Sequence, residues 1–250
     1  MLRLLCVTAH PDDEAGGFGG SLLLANQRGI ETYIICMTPG QAARNRGNTT
    51  SNEELIAARR GEFADSCRHL RVTRGEVLDY PDGQLQKQDF YQTVRDLALR
   101  IRAIKPQVVM CFGPEGSMTA HPDHAMSSLF TTAAFQWAAR NDRWTDSPDG
   151  LPPWSAQKLY YRTSEFTLPD RQPVALSPIT ARIEIGPELL ERKIEAFKMH
   201  KTQSPLFSLF ERNARRQGPV ERFHLAASRK PHDIQLENDL FAGVVDEQKG

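Results

Sequence analysis

The chain has 250 residues, long enough to bury the core of one large domain, and 40% of them are hydrophobic, which argues against disorder. Lys plus Arg and Asp plus Glu each number 31, so the net charge is zero with neutral histidines. This balance excludes a strongly basic surface for nucleic acid or anionic membranes, and no apolar stretch approaches the ~18 residues of a membrane span. We expect one domain over residues 1–250 that acts on a small polar molecule.

The cysteines and the N-terminus predict a cytoplasmic protein. The four cysteines form no C-x-x-C pair, and three lie in apolar runs where a reduced cysteine packs as a small hydrophobe. The opening MLRLLCVTAH contains an apolar run that is too short for a secretory signal peptide. Both features favour a reducing compartment.

Strand and helix patterns alternate through the first 140 residues. Apolar runs predict buried strands at 2–9, 31–38, 76–80 and 107–113. Helical patterns occupy 19–29, 51–70, 89–104 and 121–139. This alternation predicts right-handed βαβ units, and hence an α/β fold with a Rossmann-like, mostly parallel sheet whose core spans residues 1–140.

The remaining residues, 141–250, predict a smaller α+β extension that completes the same domain and lines the substrate cleft. Residues 140–153 lack periodicity and predict a surface excursion near Trp137, Trp144 and Trp154. These tryptophans are a candidate partner surface, which leaves a homo-oligomer open. Strands are expected at 158–163, 180–185 and 220–228, and helices at 187–200 and 205–216.

Two short motifs carry the candidate chemistry. His10-Pro-Asp-Asp13 follows the first strand, and His121-Pro-Asp-His124 follows the strand that ends near Gly113. Ligands of open α/β sheets bind at the carboxyl ends of the parallel strands, so both motifs are expected at the ligand-binding edge. Either motif alone could be a simple turn, but their equivalent positions favour a shared function.

The residue types in these motifs indicate a catalytic metal. Two imidazoles and one carboxylate, with one position left for water, match the ligands of a catalytic Zn²⁺, and Fe²⁺ can use the same set. Calcium and magnesium prefer oxygen ligands throughout. We therefore favour zinc as the cofactor.

The motifs AHPDDE (9–14) and HPDH (121–124) resemble those of the LmbE/PIG-L family of zinc-dependent N-acetylglucosaminyl deacetylases. Weaker pieces along the chain are also similar to family members. They are GGFGG at 16–20, TPGQAAR at 38–44, RRGE at 59–62, YPDGQL at 80–85, HKTQ at 200–203, ERFHL at 221–225 and DLFAGV at 239–244.

The resemblance implies a role for each motif residue. The zinc ligands would be His10, Asp13 and His124. Asp12 would be the general base that takes a proton from the zinc-activated water, and a cationic His121 would be the general acid or would stabilise the tetrahedral intermediate. The remaining motif acid, Asp123, would orient an imidazole.

Outside the motifs, the resemblance implies that Arg59 and Asp82 hold sugar hydroxyls near the metal. An exposed helix arginine and an ordinary turn aspartate are the alternatives. Thr119 is a departure, since some family members have a tyrosine there that helps to bind the oxyanion, and a threonine is too short for that task. His200 is expected either to line the pocket or to contact the end of its helix.

The sequence therefore predicts a zinc hydrolase that removes an acetyl group from an N-acetylated sugar conjugate. Two alternatives stay open: hydrolysis of another amide, and a non-catalytic sugar- or nucleotide-binding module. The glycines at 16–20 allow tight turning and close backbone approach, but they do not spell G-x-G-x-x-G, which disfavours dinucleotide binding. A binding module has no use for an unligated acid such as Asp12 beside the metal ligands.

Overall fold

A computed structural model describes residues 1–141, 150–167, 174–230, 233 and 235–247. Its strands are β1 (Arg3–Thr8), β2 (Glu31–Cys36), β3 (Arg74–Val77), β4 (Val108–Phe112), β5 (Lys158–Arg162), β6 (Ala181–Glu184) and β7 (Val220–Ser228). Its α-helices are α1 (Asp13–Gln27), α2 (Asn52–His69), α3 (Phe90–Ile104), α4 (Pro122–Trp137), α5 (Gly186–Phe197) and α6 (Phe207–Gln217). Short 3₁₀ helices cover Leu85–Lys87, Ser117–Thr119 and Lys201–Leu206.

The strands form one sheet in the order β3-β2-β1-β4-β5-β7-β6. Strands β1 to β5 pair in parallel, while β7 runs antiparallel to both β5 and β6. The predicted α/β fold with a mostly parallel sheet is confirmed. The sheet continues past residue 140, because β5, β7 and β6 extend the parallel part rather than form a separate layer.

The core lies on both faces of the sheet. In β1, Leu4 and Cys6 pack into one apolar cluster while Leu5 and Val7 pack into the cluster on the opposite face. Helices cover both faces, so a central strand has no solvent-facing side and its sequence is a continuous apolar run. The cysteines are free and buried, consistent with packing roles.

Several helix starts agree with their sequence signals. The Ser51 side chain accepts a hydrogen bond from the backbone N–H of Glu54 at the start of α2. Pro122 occupies the first turn of α4, where its missing N–H costs nothing. Edge strand β3 begins and ends earlier than predicted, because its pairing with β2 stops at Val77.

The start of α1 corrects the sequence prediction. The helix begins at Asp13, not at residue 19, and the glycines of GGFGG lie inside it without positive φ angles. They make no tight turn. The close approach is present, since a Cβ on Gly20 would lie 2.4 Å from Cδ1 of Ile185, just before α5. These glycines therefore let α1 pack tightly against α5.

The predicted partner surface around the three tryptophans is only partly described by the structure. Trp137 and Trp154 are half-buried, and the Trp154 indole donates a hydrogen bond to the carbonyl oxygen of Pro106 at 2.6 Å. Trp144 and most of the excursion lie outside the described residues. Within the described ranges, no helix combines the length and apolar character needed to cross a membrane.

Candidate active site

Two loops at the carboxyl edge of the sheet bring the two motifs together. Strand β1 pairs with β4, and the order of the strands reverses between them, so a crevice opens where their loops separate. Residues 9–12 lead from β1 into α1, and residues 113–121 lead from β4 into α4. Asp13 and Pro122 are the first residues of these two helices, which fixes both motifs against rigid elements.

The three predicted metal ligands converge. The Asp13 carboxylate lies 3.5 Å from Nδ1 of His10 and 3.1 Å from Nε2 of His124. One ring nitrogen from each of His10, His124 and His121 falls within a 4.8 Å cluster. The motifs are more than 100 residues apart in sequence, so this juxtaposition is a product of the parallel sheet.

The Asp13 carboxylate is held ionised at the start of α1. Its Oδ2 accepts hydrogen bonds from the backbone N–H groups of Ala9 and His10, at 3.2 and 2.8 Å. Burial acts to raise the pKa of this carboxyl, but the charge and hydrogen bonds of His124 and His10 outweigh burial and hold the pKa well below its usual range. The group is therefore anionic at neutral pH, as its predicted role as a metal ligand requires.

Two carboxylates lie close to Nε2, the other ring nitrogen of His10. Its Nε2 lies 3.0 Å from Oδ1 of Asp82 and 3.4 Å from Oδ2 of Asp123. With the Nε2 proton donated to these acids, a His10 that binds metal would present its Nδ1 lone pair on the side of Asp13. A ligating histidine commonly has this arrangement, with its second nitrogen held by a carboxylate.

Asp82 and Asp123 are in turn tied to the backbone. Oδ2 of Asp82 accepts from the Ala42 N–H at 2.8 Å, and the Asp123 carboxylate accepts from the N–H groups of Gly83 and Leu85 at 2.6 and 3.3 Å. Asp123 thus lies against an imidazole, as the sequence predicts. Asp82 was expected to hold sugar hydroxyls, but both of its oxygens have protein partners.

The donor atoms that the three predicted ligands provide are of the kinds that zinc binds in proteins. His10 can offer Nδ1 because its Nε2 faces acids, His124 can offer Nε2, and Asp13 has one carboxylate oxygen near each of these nitrogens, Oδ2 near His10 and Oδ1 near His124. Two imidazole nitrogens and one carboxylate match the donors of an open zinc site.

Asp12 lies beside the ligands in an unusual backbone conformation. Its φ of 124° is rare for a residue with a side chain, and strain of this kind concentrates at functional sites. Its N–H donates to Oε2 of Glu14 at 3.0 Å, and its carbonyl accepts from Gly16 N–H at 2.8 Å. These bonds fix the Asp12 backbone at the start of α1.

The Asp12 carboxylate is paired with Arg59. The guanidinium of Arg59 lies 3.0 Å from Oδ2 of Asp12 and also donates to the carbonyl oxygens of Pro11 and Gly40. Burial raises the pKa of Asp12 to about 6, although the positive charge of Arg59 opposes that rise. Only 3% of the Arg59 side chain is exposed, against 17% for Asp12, so Arg59 is a buried partner of Asp12 and not an exposed helix arginine.

His121 caps α4 and faces the other two imidazoles. Its Nδ1 accepts from the Asp123 N–H at 3.2 Å, and its ring centre is 4.8 Å from that of His10, edge to face. Burial, together with the charges on His10 and His124, lowers the pKa of His121 to about 4. This shift favours the neutral imidazole with its proton on Nε2, whereas the sequence analysis expected a cationic ring.

A buried carboxylate–imidazole pair behind the site was missed by the sequence analysis. Oε1 of Glu14 lies 2.7 Å from Nε2 of His200 and accepts a hydrogen bond from Ser66. Both members of the pair are fully buried. Burial acts to lower the pKa of His200, but the Glu14 charge outweighs it and raises that pKa. The pair joins α1 to the segment after α5, and the HKTQ motif was its sequence signal.

Comparisons with known proteins agree with this geometry. The chain is 26% identical over 180 residues to mycothiol S-conjugate amidase of Streptomyces coelicolor, an alignment that covers 64% of this chain and 60% of that protein. It is 28% identical over 206 residues to diacetylchitobiose deacetylase of Thermococcus kodakarensis, covering 81% of this chain and 70% of the relative. The chain thus spans less than two thirds of the first of these relatives.

A solved structure and a family model complete the comparison. N,N'-diacetylchitobiose deacetylase of Pyrococcus horikoshii has the same fold, with a TM-score of 0.73 and 24% identity over 89% of this chain and 83% of that one. The model of the PIG-L family, described as GlcNAc-PI de-N-acetylase, matches residues 5–135, which include most of β1, all of β2 to β4 and both motifs. This protein belongs to the PIG-L family.

Proposed function

We propose that this protein is a zinc-dependent N-deacetylase that releases acetate and a free amine from an N-acetylglucosamine-type conjugate. The relatives that support the reaction class are an amidase and a deacetylase by name. The observation that carries the proposal is the carboxylate of Asp12, which pairs with Arg59 and directly precedes Asp13, the residue whose carboxylate contacts both His10 and His124.

The chemistry divides between the metal and the chain. A zinc ion bound by His10, Asp13 and His124 would polarise the amide carbonyl and lower the pKa of water towards ~7. Asp12 is suited to take the proton of the attacking water, because a pKa of about 6 leaves it mostly ionised at pH 7 yet basic enough to accept. Protonated Asp12 can then deliver that proton to the departing nitrogen.

His121 can donate a hydrogen bond to the reacting amide. Its neutral ring carries the proton on Nε2, since Nδ1 accepts from the backbone, and this N–H can stabilise the oxygen of the tetrahedral intermediate. The role of general acid, which the resemblance implies, would require His121 to gain a proton during turnover.

Arg59 and Asp82 are proposed to act on the site rather than on the sugar. Arg59 positions Asp12, and Asp82 positions His10, because each side chain is already bonded to these residues and is almost fully buried. The balance of 31 positive and 31 negative residues gives no bulk electrostatic preference for an anionic or cationic substrate.

The test is release of amine and acetate from N-acetylglucosamine and a panel of its conjugates, with and without a chelator. We expect activity that is abolished by complete metal removal and restored by Zn²⁺. Equal activity in the metal-free protein would contradict the mechanism. Turnover of non-sugar amides alone would favour the alternative amide hydrolase, and metal binding without turnover of any amide would favour a binding module.

A further inference from the structure

The threonine that precedes the second motif contacts a proposed metal ligand. Thr119 ends the short 3₁₀ helix Ser117–Thr119, and its Oγ1 lies 3.1 Å from Nδ1 of His124. The same hydroxyl donates to the carbonyl oxygen of Gly116 at 3.2 Å. Thr119 is therefore bonded on the side of His124 that faces away from Asp13.

The single proton of the Thr119 hydroxyl determines which way this contact runs. A carbonyl oxygen can only accept, so the hydroxyl proton that points to Gly116 is not available to His124. The hydroxyl oxygen then accepts from the imidazole, which places a proton on Nδ1 of His124. When His124 binds a metal as a neutral ring, this leaves Nε2, the nitrogen that lies 3.1 Å from Asp13, as the ligating atom.

The ring plane of His124 is fixed by a second neighbour. Phe112, the last residue of β4, stacks on the imidazole with ring centres 4.0 Å apart and planes 8° apart. Stacking restricts tilting of the ring but does not distinguish its two nitrogens. The Thr119 hydroxyl supplies that distinction.

The loop before α4 is shaped to bring Thr119 to this position. Gly116 has a φ of 81°, and a Cβ there would meet the His121 carbonyl oxygen at 2.7 Å. Ser117 and Ala120 also have positive φ angles, of 58° and 47°. A left-handed conformation costs free energy for residues with side chains, so the surrounding contacts must hold the loop in place.

We propose that Thr119 is a positioning residue that keeps His124 in the form protonated on Nδ1 and thereby raises the affinity of the site for its metal. This inference rests on the proposed function, since it assumes that His124 is a ligand. It assigns to Thr119 a role that differs from oxyanion binding, and it acts through His124 rather than on substrate.

The test compares Thr119→Val with Thr119→Ser, both prepared metal-free and titrated with Zn²⁺ against a chromophoric chelator. Valine keeps the volume but removes the hydroxyl, so we expect zinc affinity to fall by about 10- to 100-fold. Serine keeps the hydroxyl and is expected to remain within about threefold of wild type. Thr119→Ala, which removes the hydroxyl without a branched replacement, should match valine.

Two further readouts separate positioning from folding. The Tm of each metal-free variant should stay close to that of the metal-free wild type, because Thr119 is only half-buried and the loss of its hydroxyl removes little packing. The ¹⁵N shifts of the His124 ring in the zinc-loaded wild type should report a protonated Nδ1.

The outcomes distinguish the two proposals. Valine and alanine variants that bind zinc as tightly as wild type would overturn the role of Thr119 while leaving the proposed function intact. A ring protonated on Nε2 in the zinc-loaded protein would overturn it as well. Wild-type protein that binds no zinc would overturn the proposed function, and the inference with it.

Discussion

The two histidine motifs share a spacing but hold their imidazoles in different ways. In the first motif, His10 faces two carboxylates through Nε2, from Asp82 and Asp123. In the second motif, His124 faces the neutral hydroxyl of Thr119 and the ring of Phe112. One imidazole is thus anchored by charge and the other by a hydroxyl and stacking.

This difference has an electrostatic consequence. Burial acts to lower the pKa of His10, but its hydrogen bonds to Asp123, Asp13 and Asp82 raise that pKa well above the ordinary value. Hydrogen bonds to ionised groups are roughly twice as strong as neutral ones. The first motif should therefore tolerate loss of an imidazole partner less well than the second.

The motifs also differ in which residues we propose as metal ligands. In the first they are residues one and four, His10 and Asp13, whereas in the second only the fourth, His124, is proposed. The Nδ1 of His121 accepts from the backbone N–H of Asp123 instead. The same four-residue spacing would thus give two ligands in one loop, and a ligand plus a helix cap in the other.

The largest expected effect is loss of the metal itself. His10→Ala should abolish stoichiometric zinc binding, because it removes a ligand nitrogen, while His121→Ala should retain zinc and lose most turnover. Metal content after dialysis and amine release measure the two properties. The reverse pattern would mean that His121 binds the metal and that His10 acts in turnover, which would contradict both assignments.

Removal of the proposed base comes next. Asp12→Asn should bind zinc with near-normal affinity but turn over about 10²- to 10⁴-fold more slowly, because the amide cannot accept a proton. Steady-state kcat and zinc titration check this expectation. Asp79→Asn, at a side chain that is 91% exposed, is the matched control and should leave both values unchanged.

Arg59→Lys tests whether this arginine serves Asp12 or the substrate. Lysine keeps the charge but loses the planar contacts with Pro11, Gly40 and Asp12, so misplacement of the base should lower kcat by up to about 10²-fold with little change in KM. A raised KM with an unchanged kcat would instead support the sugar-binding role implied by the family resemblance.

The charged anchor of His10 can be compared directly with the neutral anchor of His124. Asp82→Asn should weaken zinc binding by about 10- to 100-fold, and by more than Thr119→Val does in the same titration. Asp82 suits this test better than Asp123, because its carboxylate accepts from one backbone N–H, that of Ala42, whereas the Asp123 carboxylate accepts from two, those of Gly83 and Leu85. A larger loss in the threonine variant would reverse the proposed order of the two anchors.

The helices that follow the motifs give the smallest predicted effect. Gly20→Ala in α1 should destabilise the fold by about 1–3 kcal/mol, because the added methyl would overlap Ile185. Gly61→Ala in α2 is the matched control, since a Cβ there meets nothing within 4 Å, and it should stabilise by about 1 kcal/mol. Urea unfolding measures both, and equal effects would contradict the tight packing of α1 on α5.

Sequence reasoning predicted that the proposed ligands would converge and that Asp123 would support an imidazole, but it missed the other supports. The convergence of His10, Asp13 and His124 was predictable because both motifs follow apolar strands, and parallel strands end at one edge of a sheet. The other partners of these residues carry no such signal. Asp82 lies in an ordinary Pro-Asp-Gly turn, and its contact with His10 depends on how the loop after β3 crosses the edge of the sheet.

The buried pair of Glu14 and His200 was equally unpredictable from the sequence. Glu14 belongs to the AHPDDE motif and His200 to HKTQ, yet 186 residues separate them and no periodicity links them. The prediction of a turn at the glycine cluster failed for a related reason. Glycine permits both a turn and close helix packing, and only the position of α5 determines which one occurs.

The sequence by itself determined the α/β class, the element order and the residues able to bind a metal, because hydrophobic periodicity and residue chemistry are local properties. Only the tertiary structure determines which nitrogen of each imidazole faces Asp13. It also determines that Asp12 pairs with Arg59 and that Thr119 contacts His124. These features depend on distances between groups far apart in the chain, and such distances are set by the packing of helices and loops around the sheet.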